Sequence, residues 1–277
     1  MKRQISIVII CYNDYRIFDC LNCLLSQTTK TIEREIIVVL VPNAYLEKKL
    51  GMYQSIKLYF APRGNLSRSR NIGIKHSAFD RILLLDSDII LSDHFLEEIL
   101  KASDDYDLVK SNIIFDSNSW LTSIIAKSRK LGHVGNVFTP GLLVKKEVFD
   151  RIGYFNEKVK FSEDGEFSFR VKKKGVSFTE TSRACVFHPP INLKRDLRMA
   201  YNLGIGKRSG VEFGQMLNSE DLSNLSHRFF TGILAKDFVK KTKEWGLAVA
   251  VYDTIWAWLY YLGYYHEKYK GKQGRLK

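Results

Sequence analysis

Four apolar runs constrain this chain more than any other feature. Residues 5–11 (ISIVIIC), 35–41 (EIIVVLV), 56–62 (IKLYFAP) and 81–86 (RILLLD) are nearly continuous in aliphatic and β-branched residues. Helix-prone stretches lie between and after them, at 16–28, 65–77 (NLSRSRNIGIKHS) and 93–103 (DHFLEEILKAS). Continuous runs without polar alternation read as strands buried on both faces. Strands alternating with helices build a sheet covered by helices on both sides. The expected fold class is α/β, with a mostly parallel central sheet. The chain of 277 residues is long enough for one such domain and a substantial appendage. Ligands in such sheets bind beyond the carboxyl ends of the strands.

The fourth run ends in Asp86-Ser87-Asp88 and then resumes with three more apolar residues. One unpaired buried carboxylate costs several kcal/mol, so a cation has to meet this pair. Hard carboxylate oxygens at a strand end suit Mg²⁺ or Mn²⁺ bridging to a diphosphate. A D-x-D alone is weak evidence, because two solvated aspartates also end strands.

Several other features limit the field. The formal net charge of +13 points to a polyanionic neighbour: nucleic acid, an anionic membrane surface or a phosphorylated substrate. Cys20 and Cys23 form a lone C-x-x-C with no second pair or histidines at zinc spacing, and with Cys11 and Cys185 they read as reduced thiols. The opening MKRQISIVIICYND has an apolar run of seven residues and no small-residue cleavage site, so it reads as a first strand rather than a signal peptide. The stretch 204–210 (GIGKRSG) fits neither dinucleotide nor P-loop spacing. Lys207 and Arg208 are expected on a mobile loop that closes over a diphosphate, or else as solvated charge.

The order of motifs is more specific than any one of them. ISIVIICYND, EIIVV, NLSRSRNIGI, ILLLDSDIIL, PGLLVKKEVFDRIGYFNE and SEDGEFSFRVKKKG follow one another. This order resembles the family 2 glycosyltransferases of the GT-A fold over about residues 4–190. The resemblance implies a GT-A domain at 1–195 and a transfer of one sugar from a nucleotide-sugar donor to a hydroxyl of a glycan or lipid-linked acceptor. It implies that Cys11, Tyr12 and Asn13 contact the base, that Arg70 approaches the base or diphosphate, and that Asp86 lies on the ribose side. Asp88 then ligates Mn²⁺ or Mg²⁺, with His188 of CVFHP as a further metal ligand. Asp164 falls at the catalytic-base position, with Glu163 beside it contacting the acceptor or serving as the base. A single base opposite the leaving group predicts inversion. Two departures matter. Leu40 and Val41 stand where the family commonly has base-recognising acids, leaving Asn43 as a partial substitute. The Q-x-x-R-W motif of processive synthases is absent from 190–277, which favours single transfer, as in polysaccharide biosynthesis.

Residues 196–277 form the expected helical extension, basic and rich in aromatics. Within it, 246–265 (GLAVAVYDTIWAWLYYLGYY) is apolar except for Asp253. Twenty helical residues reach about 30 Å, a bilayer core. Asp253 disfavours a span, and abundant Tyr and Trp favour the headgroup region. The expectation is a helix at a membrane interface, with a core helix and a span as alternatives. The implied location is cytoplasmic, peripheral on the inner face of the cell membrane, with no nucleic acid bound. Two other readings stand: a polyprenyl-phosphate sugar synthase, whose acceptor phosphate needs no base, and a basic nucleic-acid-binding protein.

Overall fold

The structure is a computed structural model that describes residues 2–27, 31–133, 135–159, 161–212 and 233–273. The last four residues of the basic tail and residues 213–232 of the expected extension therefore lie outside the described residues. The chain divides into two units: 1–114 with 136–189, and 115–135 with 190–277. Residues 115–135 thus group with the C-terminal part of the chain.

The first unit is built on an eight-stranded sheet in the order β3-β2-β1-β4-β7-β6-β8-β5. Strands β1 (Arg3–Cys11), β2 (Ile32–Leu40), β3 (Ile56–Phe60) and β4 (Arg81–Asp86) are the four apolar runs. They are mutually parallel, with β1 between β2 and β4. The remainder, β5 (Ile90–Leu91), β6 (Leu108–Phe115), β7 (Leu142–Lys145) and β8 (Phe178–His188), includes antiparallel pairings of β7 with β4 and β6 and of β5 with β8. The sheet is parallel from β3 through β4, and β7 is the antiparallel strand between β4 and β6.

Helices α1 (Ile17–Ser26), α2 (Ala44–Leu50), α3 (Leu66–Lys75) and α4 (Phe95–Ala102) connect these strands, and α6 (Lys146–Ile152) and α7 (Glu163–Lys173) lie between β7 and β8. On one face Val8, Val39 and Leu84 pack with Phe149, Phe155 and Phe167; the last two rings stack at 4.7 Å. Ile7 and Ile9 are fully buried too, so β1 is covered on both faces as its unbroken apolar run requires. Gly73 of α3 permits this packing, since a Cβ there would lie 2.2 Å from Val8 Cγ1.

The second unit contains α5 (Trp120–His133), α8 (Leu193–Glu212), α9 (Ile233–Trp245) and α10 (Leu247–Gln273). Ile124, Ile125, Val249 and Tyr252 form its core. Inside it, Asp196 accepts from Arg129 at 2.8 Å and from the Tyr252 hydroxyl, while Arg129 lies over the Trp256 ring at 4.3 Å. Asp253, the one acid of the apolar run, pairs with Lys241 and accepts from Ser128 at 2.9 Å. Residues 204–210 are part of α8 and not a loop. Gly204 and Gly263 instead let two helix backbones meet: a Cβ on Gly204 would lie 1.9 Å from Tyr260 O, and one on Gly263 2.0 Å from Tyr201 O. No described helix is long and apolar enough to cross a membrane.

Candidate active site

The carboxyl ends of β1, β2 and β4 lie in register. Cys11 stands beside Leu40, and Ile10 beside Asp86. Beyond those ends the chain turns sharply. Asn13 takes a positive φ of 50°, a conformation asparagine tolerates better than most residues. Asn43 caps α2 by accepting from Leu46 N at 3.0 Å, and its amide nitrogen donates to Asn13 Oδ1 at 2.9 Å. The substitute for the missing acids is thus one half of an amide pair spanning two strand ends. Tyr12 is exposed beside it, and Tyr15 meets Tyr45 edge-on at 5.6 Å. Cys11 is buried with its thiol on the Asp14 carbonyl, and burial raises its pKa. All four cysteines are free; Cys20 Sγ lies behind the acidic pair, on Asp86 O at 3.8 Å.

The cations that meet Asp86 and Asp88 come from the protein itself. Arg70, 4% exposed on α3, pairs with Glu163 through one terminal nitrogen. Through the other it reaches Asp86 at 3.2 Å and Thr139 Oγ1 at 2.8 Å. Arg70 therefore ties the end of β4 to the start of α7 (Glu163–Lys173). Asp88 Oδ2 faces Arg16 at 3.1 Å and His188 Nε2 at 3.6 Å. Arg16 is held there by Asp14, whose Oδ1 accepts from its Nε at 2.8 Å. His188 Nδ1 contacts Pro189 O at 2.8 Å. A carbonyl only accepts, so Nδ1 is the donor in this contact and Nε2 is the ring nitrogen that faces Asp88.

Asp164 and Glu163 are adjacent but differ in setting. Glu163 is buried against Arg70. Asp164 is half-buried, and its Oδ1 accepts from Gly165 N at 2.7 Å. Burial first, and then the neighbouring Glu163 charge, push its pKa up to about 7. Burial also raises Asp86, against the opposing pull of Arg70. Glu166, the third acid of the turn, is fully buried and bidentate to Arg170 at 2.6 and 2.8 Å, which makes it structural. Arg170 also donates to Gly153 O and Tyr154 O at 2.9 Å. Asn71 holds the same loop from the other side, exchanging hydrogen bonds with Phe155 at 2.8 and 3.0 Å.

Of the residues singled out in the sequence, Arg70, Asp86, Asp88, Glu163, Asp164 and His188 converge here. Asn13 and Asn43 pair at the neighbouring strand ends. Lys207 and Arg208 lie in α8 of the helical unit, where the Arg208 guanidinium sits 5.9 Å over the Tyr264 ring. Three participants had no sequence signal: Arg16, Asp14 and Thr139. Asp14 closes the quoted ISIVIICYND, Arg16 lies two residues beyond it, and Thr139 directly precedes the quoted PGLLVKK, so position in or beside those motifs was the one available hint.

Residues 6–159 match the sequence profile described as glycosyl transferase family 2, more than half of the chain. No curated protein matches. Among solved structures, "GalNAc-T7 with UDP, GalNAc and Mn2+" superposes with a TM-score of 0.56 at 16% identity, covering 69% of this chain and 44% of that one. S. aureus TarS gives 0.53 at 16% identity, covering 77% and 43%. The chain spans less than half the length of either, and at such identity the likeness is one of fold. With the strand order, the acids at the strand ends and the profile match in agreement, the chain belongs to glycosyl transferase family 2 and has the GT-A fold.

Proposed function

We propose that this glycosyltransferase moves a single sugar from a nucleotide-sugar donor to a hydroxyl of a glycan or lipid-linked acceptor, with inversion and with a divalent cation. The observation that carries this reading is the link through Arg70. It joins the acidic strand end, where a donor diphosphate belongs, to the turn bearing Asp164, a half-buried carboxyl poised near neutrality.

Asp88 and His188 would hold the cation. A carboxylate suits Mg²⁺ and Mn²⁺ alike, and the imidazole adds a softer donor that favours Mn²⁺. Among the described residues no group of three or more His, Cys, Asp or Glu is arranged for a metal, so diphosphate oxygens and water must complete its coordination. When bound, the cation neutralises the departing nucleoside diphosphate. Tyr12, Asn13 and Asn43 take the nucleoside at the ends of β1 and β2, with Cys11 backing the turn and Asp86 toward the ribose. Asp164 accepts the acceptor's hydroxyl proton as the new bond forms. A hydroxyl ionises far above pH 7, so proton removal is concerted with attack. Glu163 and Arg70 position Asp164; Glu163 is already committed to Arg70.

Calorimetry of UDP binding with and without Mn²⁺ tests the metal site. Asp88→Ala should lose the metal-dependent part of binding and all turnover; equal binding with and without EDTA in wild type would overturn it. Retention of nearly full rate by Asp164→Asn would remove the base and favour a phosphate acceptor, as in a polyprenyl-phosphate sugar synthase.

A further inference from the structure

The helix α10 is apolar on two opposite sides. One side, with Val249, Ala250, Tyr252, Gly263 and Tyr264, is buried within the helical unit. The other carries Leu247, Val251, Ile255, Trp258, Leu262 and Tyr269, which are 43–60% exposed. At 100° per residue these six fall within one 80° sector, and from 247 to 269 the stripe is about 33 Å long. It opens at one end into an apolar groove of about 580 Å³, where Trp120 and Leu121 of α5 and Leu193 and Leu197 of α8 face Leu247, Val251 and Ile255. Trp120 stands at the rim, 73% exposed.

Charge identifies the occupant. Residues 115–135 and 190–277 carry 18 Lys and Arg against 9 Asp and Glu, while the rest of the chain carries 25 against 21. Exposed cations accompany the apolar surface: Lys194, Arg195 and Arg198 adjoin the two groove leucines along α8, and Lys240 and Lys243 are exposed on α9. A second copy docked symmetrically on this face would set two such positive surfaces together. An anionic bilayer offers hydrocarbon for the stripe, phosphates for the lysines and a headgroup layer for tryptophan.

We infer that this face of the helical unit docks on one leaflet of an anionic membrane, with α10 lying in the interface and Trp120 and Trp258 inserted at headgroup depth. The protein is then peripheral, held by one apolar stripe and a basic border. The inference does not depend on the catalytic roles proposed above.

Flotation of the full chain with phosphatidylcholine vesicles, with and without phosphatidylglycerol, tests it. Binding should require the anionic lipid and weaken with salt, because screening limits the reach of lysine charges to about 8–10 Å at ordinary ionic strength. The pair Val251→Glu and Ile255→Glu should reduce binding at least about tenfold, since two carboxylates would have to enter hydrocarbon. Unchanged calorimetric UDP binding would show that the sheet unit is intact. Should that variant fail to fold, Trp120→Ser, at an exposed rim, and quenching of tryptophan emission by brominated lipid in wild type and Trp258→Phe carry the test. Quenching that Trp258→Phe diminishes supports the inference. Absence of anionic-vesicle binding, quenching indifferent to both tryptophans, or a dimer by light scattering that Val251→Glu with Ile255→Glu dissociates would overturn it.

Discussion

The sheet unit and the helical unit treat charge in opposite ways. In the first, acids and bases are nearly balanced in number, and the carboxylates that matter are met internally: Asp86 and Glu163 by Arg70, Asp88 by Arg16. In the second, Asp196 and Asp253 are also neutralised, by Arg129 and Lys241, but among the described residues Lys194, Arg198, Lys240 and Lys243 stay exposed, as do apolar side chains of α10. Buried ions need partners at short range, whereas a surface can leave its charge for a partner outside the chain. One unit is organised inward around a site. The other presents a face.

The largest effect expected from breaking the inward arrangement is kinetic. Asp164→Asn should leave UDP affinity intact and lower kcat by on the order of 10²–10⁴-fold, read from steady-state rates. The same carboxyl sets a pH dependence. With its folded pKa raised to about 7 from 3.8, the ionised base accumulates as pH rises, so kcat/KM should climb through neutrality, and this limb should vanish in Asp164→Asn. Its contribution to stability runs the other way: the folded state holds the extra proton, so stability falls between about pH 4 and 7. Wild type and Asp164→Asn unfolded by denaturant across that range would reveal the difference.

Next in size is Arg70→Met. It leaves Glu163 and Asp86 without their buried cation, which should cost about 3–5 kcal/mol in denaturant unfolding, unless protonation relieves it at low pH. Smaller again, and confined to the other unit, is Gly204→Ala. A methyl group there meets the backbone at Tyr260 O, so the two helices must separate, at about 1–3 kcal/mol. UDP binding should be unchanged; a parallel loss of UDP affinity would blur the contrast between the units. The smallest change is Arg16→Gln. It removes a protein cation that shares Asp88 Oδ2 with His188, so Mn²⁺ should bind a few-fold more tightly in the presence of UDP, with little change in melting. Unaltered Mn²⁺ affinity by paramagnetic resonance titration would show that Arg16 does not compete.

The parallel half of the fold was legible because its strands are unbroken apolar runs and need no distant information. Strands read at 5–11, 35–41 and 81–86 appear as Arg3–Cys11, Ile32–Leu40 and Arg81–Asp86. The acids at the strand end could be read too, since carboxylates amid apolar residues are locally anomalous. What meets those acids was not legible. Arg70, Arg16 and His188 come from 16 residues before Asp86, 72 before Asp88 and 100 after it, and nothing local distinguishes a guanidinium that turns inward from one that stays in water. The stretch 204–210 was misread for a related reason. Its glycines suggested a loop, but they serve the close approach of two helix backbones, and only the partner helix gives them that meaning. Composition and periodicity thus determined the elements, the sheet and the anomalous acids, because those depend on burial of neighbours along the chain. Tertiary structure decided which cation meets which carboxylate and which side of α10 is left uncovered, because ion pairing and packing join residues that the chain keeps far apart.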